Sequence, residues 1–128
     1  MTKVAIHFDH ILQDSQDLGS DDDHMISRVF FAITVGDESF ANLYADIKQT
    51  VGADFATDPL EVSQPANYTG PLDFNAFRKC VEEYYRKFVG AQGSGVRVAP
   101  KAGVRMRNNN FGGAWSCSFD ASETTTAW

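Results

Sequence analysis

The residues best suited to chemistry are the three histidines, His7, His10 and His24, which fall in the first 24 positions. Imidazole and carboxylate groups together suit Zn²⁺, Mn²⁺ or Fe²⁺. His7 and Asp9 share one face of a predicted strand, and His24 approaches them if the next strand pairs with the first. His7, Asp9 and His24 are therefore a candidate metal site. Side chains alternate along a strand, so His7 and His10 are predicted on opposite faces. Exposed polar residues on a solvated sheet are the favoured interpretation, and no metal or other cofactor is expected.

A second candidate is a basic segment that lies close to aromatic residues. Basic side chains interleaved with aromatic rings are typical of proteins that bind single-stranded nucleic acid. The chain as a whole carries a net charge of −6 and has no RNP-type motif. Pairing with acidic residues on neighbouring strands is the favoured alternative, and nucleic acid is not an expected partner. The segment consists of Arg97, Lys101, Arg105 and Arg107.

The chain is rich in aromatic residues, with ten Phe and four Tyr. If a helix covers a curved sheet, such rings can line a ligand pocket, but the same rings can equally fill a solid core. An enclosed cavity of about 300 Å³ or more would favour the pocket, and a filled interior would favour an interaction module. The candidate ligand-binding residues are Tyr44, Tyr84, Tyr85 and Trp115.

Motifs for catalysis are absent from the sequence. It contains no Gly-x-Ser-x-Gly, no phosphate-binding loop and no His-Glu-x-x-His. Cys80 falls on the apolar stripe of a predicted helix, and Cys117 alternates with Trp115 and Phe119, which predicts two packed thiols rather than nucleophiles. An enzyme is therefore the less favoured class.

The cysteine spacing and the absence of targeting signals bear on location. The two cysteines have no C-x-x-C spacing, the N-terminus has the pattern of a strand rather than a signal peptide, and no apolar run approaches the roughly 20 residues of a membrane span. These features predict a soluble, cytoplasmic protein with reduced thiols and no membrane partner.

Alternating apolar residues predict three long strands, over Thr2–Leu12, Met25–Val35 and Glu38–Gln49. The sequence Gly36-Asp37-Glu38 separates the last two and is typical of a hairpin turn. Antiparallel connections of this kind indicate a sheet built from neighbouring strands.

A connection over 50–72 contains three prolines and no periodic pattern, so it is predicted to be irregular. Apolar residues at spacings of three and four then predict a helix over Asp73–Val89, with Asp73 as N-cap and Gly90 at the C′ position. After the helix, the sequence predicts two short strands, 95–98 and 103–107. A final strand is predicted within an extended tail, 109–128.

The order β-β-β-α-β-β predicts one α+β domain over residues 1–128, with an antiparallel sheet of about five strands and one helix packed on one face. Residues 1–70 carry a charge of −9 and residues 71–128 a charge of +3. This asymmetry and the aromatic tail predict a homodimer. The predicted function is a small acidic binding or protein-interaction module, and the alternative is a small-molecule-binding domain or enzyme with an aromatic pocket between helix and sheet.

Overall fold

The computed structural model describes residues 2–13, 24–50, 60–91 and 109–121. The predicted strands at 95–98 and 103–107 lie outside these ranges, as do the whole basic segment and the last seven residues of the predicted tail.

Three long antiparallel strands form the centre of the sheet: β1 (Thr2–Gln13), β2 (His24–Val35) and β3 (Glu38–Thr50). Their bounds agree with the predicted strands to within one residue. β2 and β3 form the predicted hairpin, in which Val35 pairs with Glu38 across a two-residue turn. Gly36 has a φ of 58°, a left-handed conformation that favours glycine.

Within the described ranges, three shorter strands flank this centre: β4 (Glu61–Val62), β5 (Asn109–Phe111) and β6 (Trp115–Ala121). β4 borders β3, whereas β5 and β6 lie one after the other along the free side of β1, opposite Ile11–Gln13 and Thr2–Phe8 respectively. The six strands in the described ranges thus occupy five positions across the sheet, and the predicted α+β class is confirmed. β4 falls inside the connection predicted to be irregular, so the element order differs in detail.

The helix α1 spans Phe74–Ala91. Asp73 caps it as predicted, since its Oδ1 accepts a hydrogen bond from the Ala76 N–H at 3.3 Å and its carbonyl oxygen accepts one from the Phe77 N–H at 2.9 Å. The helix continues through Gly90, so the prediction that Gly90 ends it is wrong.

Alternate residues of the strands are buried and form the inner face of the sheet. Rings of the helix contact rings of this face: Phe77 lies 5.5 Å from Phe31 between centroids, and Tyr84 stacks on Phe8 at 4.5 Å. The apolar residues that are less than 2% exposed, apart from those on the helix, are Val4, Ile6, Ile11, Val29, Ile33, Leu43, Ala45, Ile47 and Leu72.

Cys80 of the helix and Cys117 of β6 form a disulfide, with their Cα atoms 6.0 Å apart, a separation that suits this bond. The prediction of two separate reduced thiols is therefore wrong. Cys80 belongs to the buried side of the helix and Cys117 to the inward-facing residues of β6, so the two apolar patterns that predicted burial meet at one point.

None of the helices in the described ranges is long and apolar enough to cross a membrane.

Tyr68 follows β4 and is buried, with its hydroxyl donating a hydrogen bond to the Pro71 carbonyl at 2.7 Å. Burial, aided by the charge of Glu38, raises the pKa of Tyr68 to about 12. In the unfolded chain a tyrosine ionises near pH 10. The neutral phenol is therefore favoured by folding, and its contribution to stability is complete below about pH 10 and is lost as the pH rises through about 12.

We expect the free energy of unfolding to fall between about pH 10 and pH 12, and to fall less steeply in Tyr68→Phe. At neutral pH this variant should lose about 1 kcal/mol with its hydrogen bond. Urea denaturation at a series of pH values measures both effects. Burial also raises the pKa of Tyr84, so part of the slope remains in the variant. Equal slopes in the two proteins would contradict the assignment to Tyr68.

Candidate interaction surface: the outer face of the sheet

A β-bulge in β1 determines which residues reach the outer face, the side of the sheet opposite the buried core. Phe8 pairs with Phe31 and His10 with the adjacent Phe30, so Asp9 is an extra residue. After the bulge the alternation restarts, and His10 reaches the outer face while Ile11 is buried. The prediction that His7 and His10 lie on opposite faces is therefore wrong.

His7 connects three strands through hydrogen bonds. Its Nδ1 lies 3.2 Å from Ser116 Oγ on β6, and its Nε2 lies 3.1 Å from Thr34 Oγ1 on β2. A neutral imidazole has one donor and one acceptor nitrogen, so both positions of the ring are used by the two hydroxyls. This arrangement fixes the ring on the surface and leaves neither nitrogen available as a base or metal ligand without breaking a bond.

An aromatic row crosses the three central strands and consists of His10, Phe30 and Tyr44. The rings of His10 and Phe30 are stacked, with centroids 4.5 Å apart and planes at 17°, and Phe30 lies 6.2 Å from Tyr44. His10 Nδ1 is 2.7 Å from Asp9 Oδ2, which holds the first ring in place. All three ring residues are half-buried, so each presents part of its surface to solvent.

Arg28 and Asp46 form a bidentate ion pair beside the row. Arg28 Nε donates to Asp46 Oδ1 at 2.7 Å and Nη2 donates to Oδ2 at 3.0 Å. The guanidinium carbon also lies 4.1 Å from the centroid of the Tyr44 ring, within cation–π range. The hydrogen bonds that Arg28 donates to the Asp46 carboxylate raise the pKa of Arg28. Each charged side chain is 28% exposed, so the pair is partly accessible to solvent, and its two hydrogen bonds fix its geometry.

The candidate metal ligands do not come together. His7 pairs with Ala32, whereas His24 lies eight positions away along β2, which corresponds to roughly 26 Å. No single ion can bridge that distance. The described residues also contain no group of three or more His, Cys, Asp or Glu side chains that could hold a metal.

The candidate ligand-binding aromatics are divided between the two faces of the sheet. Tyr84 and Trp115 contact each other at 6.0 Å between centroids and belong to the interior or its border, and Tyr85 is fully buried. Tyr44 belongs to the outer face and cannot line a pocket with them. The candidate basic segment lies outside the described residues.

Tyr84 is held by the backbone of the segment before β6. Its hydroxyl donates to the Gly113 carbonyl at 2.8 Å and accepts from the Gly113 N–H at 3.2 Å. Gly112 has a φ of 102°, and a Cβ there would lie 2.6 Å from the Tyr84 hydroxyl. This close packing leaves no space for a ligand between the Tyr84 hydroxyl and the backbone of Gly112 and Gly113.

Sequence reasoning missed Arg28, Phe30 and Asp46. Arg28 and Phe30 are two residues apart in a strand, a spacing that places both side chains on one face and was a usable signal. Their partners depend on strand register and on the bulge, which the sequence does not specify.

Comparisons of the chain with protein-family models, with curated proteins and with solved structures found no match. The functional argument therefore depends on the geometry of the described residues.

Proposed function

We propose that this protein is a binding module that contacts a protein partner through the outer face of its sheet. The observation that carries the proposal is the ordered, half-exposed aromatic row with the Arg28–Asp46 pair beside it. No group in this set is arranged for bond breaking, whereas its composition fits recognition.

The composition of the surface agrees with what dominates protein interfaces. Tyrosine and arginine are enriched among the residues that contribute most binding energy. Here Arg28 lies over Tyr44 and is fixed by Asp46 before any partner binds. Side chains that are already ordered lose little conformational entropy on binding, which favours affinity.

The alternative, an enzyme or small-molecule domain with an aromatic pocket, has less support near Tyr84. Rings in contact occupy that part of the interior: Phe8 lies 4.5 Å from Tyr84 and 5.7 Å from Trp115. By the criterion set from the sequence, the filling of this part of the interior favours the interaction module over a pocket at Tyr84.

A second copy of the chain is one protein that this surface could bind, so the homodimer stays a prediction. The cytoplasmic location also stays a prediction. It was based in part on reduced thiols, whereas Cys80 and Cys117 are paired. Disulfides are typical of oxidising compartments.

Photo-crosslinking tests the proposal directly. Tyr44 is replaced by p-benzoylphenylalanine in the full chain, expressed in its native host, and the adducts are identified by mass spectrometry. A matched control carries the same residue at Asn75, which is exposed on the helix. We expect a discrete protein adduct from position 44 that position 75 does not give.

A second comparison ties the adduct to the aromatic row. Phe30→Ala in the Tyr44 crosslinking background should reduce the adduct severalfold, whereas Lys79→Ala, an exposed helix position, should leave it unchanged. An adduct containing two copies of this chain would identify the partner as itself. Identical patterns from positions 44 and 75 would refute the proposed function.

A further inference from the structure

The two buried polar side chains of the described core lie close to one hydroxyl of the helix. Ser27 of β2 is 0% exposed and Gln49 of β3 is 3% exposed, and both point to the inner face. The Tyr85 hydroxyl lies 2.7 Å from Gln49 Oε1 and 3.3 Å from Ser27 Oγ. We call these three residues the polar cluster.

Hydrogen-bond direction within the polar cluster can be followed from atom to atom. The Tyr85 hydroxyl donates its only hydrogen to Gln49 Oε1. In the contact between Ser27 and Tyr85 the serine hydroxyl is then the donor. The carbonyl side of the Gln49 amide is therefore satisfied.

The other side of the same amide is not satisfied. Gln49 Nε2 is buried and has no hydrogen-bond partner among the residues that the structure describes. A buried amide donor without a hydrogen-bond partner lowers the stability of the folded protein. Such groups are rare in folded proteins, so this one needs an explanation. Such groups occur at functional sites, where a ligand supplies the missing partner, and beside internal waters.

The chemistry of the orphaned group limits what can bind it. Nε2 carries only donor hydrogens, so its partner must present an acceptor oxygen. None of the three side chains of the polar cluster is charged, and an ionised carboxylate in such surroundings would be strongly disfavoured. A neutral carbonyl oxygen on an apolar body meets both conditions.

We propose that the polar cluster is an internal binding site in which Gln49 Nε2 donates a hydrogen bond to the carbonyl oxygen of a small, neutral, largely apolar ligand. The site is on the inner side of the sheet, away from the aromatic row, and does not depend on the proposed interaction surface. Tyr85 acts as a positioning residue because it holds the amide through Oε1.

Two probes of the same shape test the assignment. Cyclohexanone carries the required oxygen, and methylenecyclohexane replaces that oxygen with carbon. Each is titrated into ¹⁵N-labelled full-length protein, and the side-chain amide signal of Gln49 is followed. Gln49→Met, which keeps the length of the side chain and removes the donor, assigns the signal and serves as the control for binding.

We expect cyclohexanone to shift the Gln49 amide signal saturably and to raise the melting temperature, with neither effect from methylenecyclohexane. In Gln49→Met the thermal response to cyclohexanone should be lost while the ligand-free protein remains folded. If that variant does not fold, the two titrations of the wild-type protein still show whether binding requires the carbonyl oxygen.

Two results would overturn the proposal. One is an equal response to both probes, which would mean that apolar contact alone accounts for binding. The other is an unmoved Gln49 signal up to the solubility of cyclohexanone. A magnetisation-transfer signal from bulk water to the amide protons would then assign the site to an internal water. Neither result affects the crosslinking experiment, since Tyr44 lies on the opposite face.

Discussion

Phe77→Ala is expected to lower the free energy of unfolding by about 3–5 kcal/mol, the usual cost of removing a buried aromatic ring. Phe77 is 0% exposed, and its ring contacts Phe31 on the sheet and Phe74 on the helix. Its removal leaves a cavity between the two layers that their backbones can close only in part.

Chemical denaturation followed by tryptophan fluorescence and circular dichroism measures this loss. Asn75→Ala, at an exposed position two residues earlier in the helix, is the control and should change stability by no more than about 0.5 kcal/mol. A loss below about 1 kcal/mol for Phe77→Ala would show that this ring does not join helix and sheet in solution.

The parts of the fold that follow from local rules were predictable. Alternation placed β1, β2 and β3 to within one residue, because each has one buried and one solvated face. The helix start was predictable for the same reason: Asp73 is a capping residue followed by an apolar stripe of helical period.

The end of the helix was not predictable from the same kind of rule. Gly90 is a common helix terminator, yet the helix continues to Ala91. The preference of glycine for a C′ position is statistical, and tertiary contacts can override it.

The outer face shows why sites are harder to predict than elements. One extra residue, Asp9, reverses the direction of every side chain that follows it in β1. That reversal brings His10 onto Phe30 and could not be derived from alternation. The Arg28–Asp46 pair likewise requires the register of β2 against β3, since the two residues are 18 positions apart.

The disulfide could not be predicted from either apolar pattern alone. Each cysteine was correctly predicted to belong to an apolar pattern, but 37 residues separate Cys80 from Cys117 and the sequence does not show that the patterns meet. The assumption of a reducing location then supported the wrong conclusion.

Removal of the disulfide is expected to lower the free energy of unfolding by about 4 kcal/mol. In the chain-entropy model the cost grows with the length of the closed loop, and a separation of 37 residues corresponds to that magnitude. The double variant Cys80→Ala, Cys117→Ala avoids placing a hydroxyl in the core and should reproduce the effect of reduction.

Denaturation with and without dithiothreitol measures the effect, and the double variant is the control, since dithiothreitol should not change its stability. If native protein kept without dithiothreitol shows two reactive thiols, the pairing of Cys80 with Cys117 is contradicted.

Loss of the bond should also act on the proposed interaction surface. Cys117 is next to Ser116, whose hydroxyl lies within hydrogen-bond distance of His7 on the outer face. The disulfide is the covalent link between β6 and the helix, so without it the strand is held by its pairing with β1 and by noncovalent contacts. We expect amide hydrogen exchange in Trp115–Ala121 to accelerate on reduction more than exchange in the centre of β3. Equal acceleration in both strands would mean that reduction destabilises the whole sheet and does not act locally through β6.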